Sequence, residues 1–238
     1  MLKFTLCVLA SLLIAGGSVR AQDNVVARKK IDLAQMRLEN VQIERESIAG
    51  LFSALSFTYN IPVGLEIARS GNRLSLYRID FHKGTLSDLL AQFVAQHEEY
   101  TWQIENGVVS VFPKEDHRDP VVRELLLTRI SSFSVPEKTS CWHFGQNLLS
   151  TPETKRILER YGTTYDTGRL GGFYIQQLGQ KFSFEVSGVQ LKSILDKAIK
   201  ESPVARNWSI SNKTSAQKIF LEVHAEPEYQ STDSIKPE

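Results

Sequence analysis

Tyr77, Ile79 and Phe81 alternate with polar residues, and Leu86, Leu89, Leu90, Phe93 and Val94 follow at helical spacing before Trp102 and Ile104. The same order recurs downstream. Phe182, Phe184 and Val186 alternate; Leu191, Ile194, Leu195, Ala198 and Ile199 keep the helical spacing; Trp208 and Ile210 close the unit. From Tyr77 to Val94 each partner lies 105 residues on (182 − 77), and at the Trp pair the offset is 106 (208 − 102), one inserted residue. A period of 2 passing into a period of 3.6 and back reads as strand, helix, strand, so the chain contains a duplicated β-α-β unit.

Around this repeat the pattern fills in. Ile31, Leu33, Met36 and Leu38 suggest a short helix in the lead-in, and Val41 and Ile43 alternate as a strand. Ser47 is a fit N-cap for a helix with Ile48, Leu51, Phe52 and Leu55 on one face, ended ahead of Pro62. Val63, Leu65 and Ile67 read as a strand, Ser70-Gly71-Asn72 as a turn, and Leu74–Phe81 as the long strand of the repeat. Thr85 with Asp88 three residues later is an acidic capping box. Asn106-Gly107 between two β-rich runs is a hairpin signal, since both positions tolerate positive φ.

After Pro113 the charged run Lys114–Pro120 reads as solvated linker, taken to extend over 114–124. Leu125–Ile130 with Phe133 and Val135 reads as strand, then Thr139 or Ser140 caps a helix bearing Cys141, Phe144, Leu148 and Leu149. An insertion follows at 151–172, with a helical piece at Glu153–Tyr161 and glycines 162, 168, 171 and 172. Phe173–Gln177 and Lys181–Val186 suggest a hairpin, and Ile219, Leu221 and Val223 the last strand. The expected fold class is α+β, two related β-α-β units with helices on small sheets, spanning 40–113 and 125–225.

Lys3, an apolar run from Phe4 to Ala15, small residues and Val19-Arg20-Ala21 predict a secretory signal peptide cleaved after Ala21. The apolar run is shorter than the roughly 20 residues of a spanning helix, so the expected product is exported and not membrane-spanning. Residues 22–39 form a polar lead, and the tail 226–238, poor in apolar residues, is expected to be disordered. Composition is that of a globular protein, 42% hydrophobic and 23% charged. Without Lys3 and Arg20 the count is 26 basic against 27 acidic residues, which argues against nucleic acid as a partner. Cys7 leaves with the leader, so Cys141 has no partner for an internal disulfide.

Val41-x-Ile43, the Ile48–Leu55 helix, Pro62-Val63, the Leu76–Phe81 strand, the Gly84-Thr85-Leu86 entry with Leu89-Leu90, and Tyr100–Phe112 together carry a likeness. Over residues 40–113, about a third of the chain, this rhythm resembles the short N-terminal domain shared by outer-membrane secretins and TonB-dependent receptors; the second unit resembles the same plan with a longer insertion. The resemblance implies a periplasmic α+β domain that contacts envelope proteins: a secretin, a TonB-dependent receptor, a pilus component or a signalling partner. No barrel sequence accompanies it here, so the expectation is an interaction module and not a channel.

Candidate chemistry is sparse. Cys141-Trp142-His143 suggests a thiol nucleophile, yet Cys141 falls on the expected core face with Phe144 and Leu148, and adjacent helix positions point about 100° apart. A hydrolase using Cys141 is therefore the alternative rather than the first reading. No two of His82, His97, His117, His143 and His224 stand four apart, so neither a metal nor another cofactor is expected. His97, after a helix end, reads as a cation at the negative terminus. The Gly-rich stretch Gly168–Gly172 lacks a phosphate-loop pattern, though a small-ligand site there is a third reading. Arg and aromatic residues anchor interfaces, so Arg156, Arg160, Tyr161, Tyr165, Arg169 and Phe173 are the candidate partner contacts.

Overall fold

The structure, a computed structural model, is described for residues 32–69, 76–167, 178–179 and 181–225. The leader, the tail, the glycines at 168–172, Arg169, Phe173 and the expected strand at 173–177 lie outside these residues. The fold is α+β. After a single 3-10 turn at Leu33–Gln35, where a short helix was expected, the first unit runs β1 (Arg37–Arg45), α1 (Ile48–Tyr59), β2 (Val63–Glu66), β3 (Tyr77–Thr85), α2 (Leu86–Gln96), β4 (Tyr100–Glu105) and β5 (Val108–Pro113). The second runs α3 (Pro120–Leu127), β6 (Arg129–Val135), α4 (Cys141–Leu149), α5 (Pro152–Arg160), β7 (Thr164–Asp166), β8 (Phe184–Gln190), α6 (Leu191–Glu201), β9 (Ala205–Lys213) and β10 (Lys218–Ala225).

Local chemistry explains the boundaries. The Ser47 hydroxyl accepts from the Gly50 N–H at 3.0 Å, and Asn60 ends α1 in the left-handed region at φ +54°. At α2 the capping box is complete: Asp88 N–H donates to Thr85 Oγ1 at 3.2 Å, and Thr85 N–H to Asp88 Oδ2 at 2.8 Å. Asn106 (φ +54°) and Gly107 (φ +80°) turn β4 into β5.

The duplication reaches further than its sequence signal. β1 pairs antiparallel with β3, and β6 with β8, as two separate ribbons. Within β1, Leu38, Val41 and Ile43 are buried; within β6, Ile130, Phe133 and Val135 are buried at the same spacing. Helices α2 and α6 begin and end 105 residues apart (191 − 86 and 201 − 96). Each unit then adds an antiparallel hairpin, β4-β5 or β9-β10, whose second strand takes a parallel neighbour, β2 or β7.

The two units are not tethered beads. Their strands form one six-stranded sheet in the order β4-β5-β2-β9-β10-β7, because β2 of the first unit pairs in parallel with β9 of the second. Two cores lie on this sheet, and they interlock: Val108 of the first hairpin is buried in the second unit's core with α3 and α6 residues.

Two expectations for the join need correction. The run Leu125–Ile130, read as strand, is the end of α3 and the start of β6. Asp119 caps α3, its Oδ1 accepting from the N–H groups of Val121 (3.0 Å) and Val122 (3.1 Å), and Pro120 fits the first turn. Val121, Val122, Leu125 and Leu126 bury one helical face, which outweighs the β-favouring alternation further on. The supposed linker of solvated charges, 114–124, is solvated at 114–117, which are exposed, and is packed from Arg118 onward. It contains a 3-10 turn at Glu115–His117, and Arg118 reaches back to Glu66, a carboxylate 1% exposed, at 2.6–3.2 Å. Asn212 of β9 donates to Asp119 Oδ2 at 2.9 Å. His97 is the third correction. Its ring packs at a tilt against Phe93 (4.6 Å) and Tyr77 (5.3 Å), and burial pushes it toward the neutral form.

Candidate interaction site

The internal junction shows how this fold receives a strand. Val63, Gly64, Leu65 and Glu66 face Asn207, Trp208, Ser209 and Ile210 in register, and the Ile67 N–H donates to the Ile210 carbonyl at 2.9 Å. Trp208 is 2% exposed and lies over Gly64: a Cβ there would sit 2.4 Å from the indole Cζ2. The indole cannot swing away freely, because its Nε1 donates to Asp196 Oδ1 at 2.9 Å from α6. Helix α1 arrives with β2 and adds polar contacts. Ser53 donates to Asn207 Oδ1 at 3.1 Å, and the Ser56 hydroxyl lies 2.9 Å from the Arg206 carbonyl.

The equivalent strand of the first unit, β4, ends the sheet. Among the described residues no strand pairs with its outer side. By the offset of 106, Trp102 stands where Trp208 does and Ile104 where Ile210 does. Trp102 and Ile104 are half-buried rather than enclosed, and no acceptor among the described residues takes the Trp102 indole N–H. The α2 residue matching Asp196 (196 − 105) is Ala91, which offers none. Folded proteins guard sheet edges with lysine, proline or a bulge. β4 has no lysine and no proline, its register with β5 runs without a shift, and Glu105 at its end is its single charge.

A second surface lies at the opposite end of the sheet. A groove of about 520 Å³ is lined by Trp142, Gln146, Tyr165, Lys213, Phe220 and Glu222, among others. Lys213 Nζ sits 4.2 Å from the centre of the Phe220 ring, and the hydrogen bond from His224 holds the Glu222 carboxyl below its usual range.

Of the residues expected to contact a partner, four lie among the described ones. Arg160 and Tyr161 come together on one carboxylate, Glu124, at 2.6 and 3.0 Å, and this bond pushes the Tyr161 phenol up. The Tyr161 ring is 39% exposed. Arg156 is exposed on α5 beside Glu153. Tyr165 is separate from these. Its ring packs on the second core and lines the groove, and its hydroxyl lies 2.6 Å from Ser150 Oγ. Cys141 is 6% exposed, and burial pushes its thiol up to about 12. Ser140 Oγ accepts from the His143 N–H at 3.1 Å as the α4 cap and lies 2.9 Å from His143 Nδ1, but Ser140 is itself 3% exposed. No set of three His, Cys, Asp or Glu among the described residues is placed to hold a metal. No helix among them is long and apolar enough to cross a membrane.

Gly64 and the Glu66–Arg118 pair had no place among the sequence candidates, and Trp102 stood there only as a core position shared with Trp208 in the repeat. The glycine carried a usable signal: a lone Gly inside an apolar strand, Val63-Gly64-Leu65, marks a close approach of another group. Comparison with known proteins adds nothing to this picture: no family model, no curated protein and no solved structure matches the chain.

Proposed function

We propose that the chain is a non-catalytic protein-interaction module of a Gram-negative-type cell envelope, exported to the periplasm. It would work with a secretin, TonB-dependent receptor, pilus or signalling component. The observation that carries the reading is the doubled β-α-β plan fused into one sheet, with an unguarded strand at one end. An exposed strand edge offers unpaired N–H and C=O groups, which supply affinity when a partner adds a strand. The leader-like start and the resemblance over residues 40–113 supply the compartment and the class of partner.

The reading that uses Cys141 as a hydrolytic nucleophile has less support. A catalytic thiol is exposed and low in pKa, and this one is buried and pushed up. The small-ligand reading falls on the Gly-rich stretch 168–172, which lies outside the described residues; the Trp142–Phe220 groove is a different place, and its aromatic and charged lining suits a polar aromatic ligand.

In-cell cross-linking through a photo-reactive residue at Gln103, followed by identification of the adducts, tests the proposal. Recovery of an envelope secretion, receptor, pilus or signalling protein is the expected result. Adducts confined to cytoplasmic proteins, or none from any surface position including Arg156 and Tyr161, would overturn it.

A further inference from the structure

Resting on that interaction reading, we infer that the outer edge of β4 is the docking site, and that its occupant is a parallel strand of another protein with an apolar–Gly–apolar sequence, preceded by a helix. The template is inside the molecule. β9 and β4 are the same strand of the two units, and β9 is filled by a strand of that description, Val63-Gly64-Leu65 following α1. The occupied copy shows what an indole at this position requires: a residue without a Cβ beneath it and an acceptor for its N–H. In the unoccupied copy both requirements are open. Trp102 is half-buried, its N–H idle, on an edge that lacks the usual guards.

The geometry also sets direction and register. The Ile210 carbonyl faces the incoming strand, so the Ile104 carbonyl faces the free side of β4. On the inner side, the Glu99 carbonyl accepts from Lys114 N–H, which puts Glu99, Thr101 and Gln103 on the ladder to β5 and leaves Trp102 and Ile104 for a newcomer. The glycine of the partner strand stands opposite Trp102, and its flanking apolar residues stand opposite Thr101 and Gln103, as Val63 and Leu65 stand opposite Asn207 and Ser209. A second copy of this chain does not meet the description with its own β2, because β9 already holds it.

A synthetic peptide of sequence Asn60–Ala68, the chain's own model of such a strand, is the probe. Amide hydrogen exchange of the full chain is followed with the peptide, with a version carrying leucine for glycine, and without either. The expected result is several-fold slower exchange at Trp102 and Ile104 with the first peptide and no change with the second. Four outcomes would overturn the assignment: no slowing at Trp102 and Ile104; equal slowing by both peptides; protection of these amides in the free chain; or concentration-dependent dimerisation that the peptide competes away, which makes the occupant a second copy.

Ile104→Pro removes an outward N–H without touching the ladder to β5, and Trp102→Ala serves where the proline variant does not fold. In the envelope cross-linking experiment, placed at a position outside β4, either variant loses the partner if β4 is the dock. Capture by the wild type that survives both variants overturns the β4 assignment and leaves the interaction module standing. Absence of capture by the wild type overturns the module itself.

Discussion

Replacing Gly64 by alanine isolates the contact that fuses the two units. Gly64 has no positive φ, so its backbone suits any residue. On that ground alone alanine would stabilise the chain by about 0.4–1 kcal/mol through the unfolded state. The new Cβ, however, meets Trp208 Cζ2 at 2.4 Å, Cε2 at 2.5 Å and Nε1 at 2.8 Å, well inside contact distance. Overpacking of this kind costs about 1–3 kcal/mol. If the ring retreats, it also gives up the bond to the Asp196 carboxylate, and a hydrogen bond to a charged group contributes roughly 1.5–3 kcal/mol. The net expectation is a loss of about 2–4 kcal/mol, which for a domain of this size lowers Tm by roughly 4–16 °C. Urea unfolding and calorimetry of Gly64→Ala, Trp208→Leu and the double variant form the assay. Leucine leaves room for the Cβ, so the double variant loses less than the sum of the singles. A Gly64→Ala variant as stable as the parent, or strict additivity in the cycle, would refute the reasoning.

Three further outcomes follow from the same structure. Arg118→Ala leaves the buried Glu66 carboxylate without its counter-ion and costs about 3–5 kcal/mol in urea unfolding; a loss below about 1 kcal/mol would show that the pair does not hold 114–119 to β2. Cys141, with its thiol pushed up to about 12, reacts with a thiol reagent orders of magnitude more slowly in the native chain than in urea; rapid native labelling would revive the nucleophile reading. Burial pushes the Asp196 carboxyl up despite Lys192 and the Trp208 N–H, so the native state keeps that proton longer than the unfolded chain does. The contribution of Asp196 to stability is therefore complete below the unfolded pKa of about 3.9 and declines as pH rises through the higher folded value. Asp196→Asn keeps an acceptor for the indole and gains on the parent between pH 3 and pH 7, and an unchanged difference across that range would contradict this.

Elements whose periodicity is set by one core were legible in the sequence. α2 and α6 declare themselves through their apolar stripes, and the Thr85–Asp88 box and Asn106-Gly107 turn through local chemistry. What escaped is what depends on a second surface. α3 was misread because Leu125–Leu127 lies next to a strand and its helical face is defined only by the core it enters. Arg118 looked solvated because its partner, Glu66, is 52 residues away in sequence and meets it only where β2 lies beside β5 in the sheet. Trp102 and Trp208 hold matching places in the repeat, and what separates the enclosed indole from the half-buried one is the sheet order together with Ala91 standing where the second unit has Asp196. Of the partner contacts inferred from composition, Arg160 and Tyr161 do share a site, but around the chain's own half-buried carboxylate Glu124. Tyr165 faces elsewhere, since the described part of the insertion, 151–167, is spread over α5 and β7.

The join between β2 and β9 also sets a timetable for folding. Ser53 and Asn207, bonded across it, are 154 residues apart, so the contact that completes the sheet is among the most distant the chain makes. Non-local pairing of this kind is slow to form, and until it forms β2 is itself an open edge. As the first unit leaves its site of synthesis it displays two vacant edges, β2 and β4, and the second unit quenches only one of them. Any device that keeps the nascent chain from pairing with the wrong strand must act before Trp208 closes over Gly64.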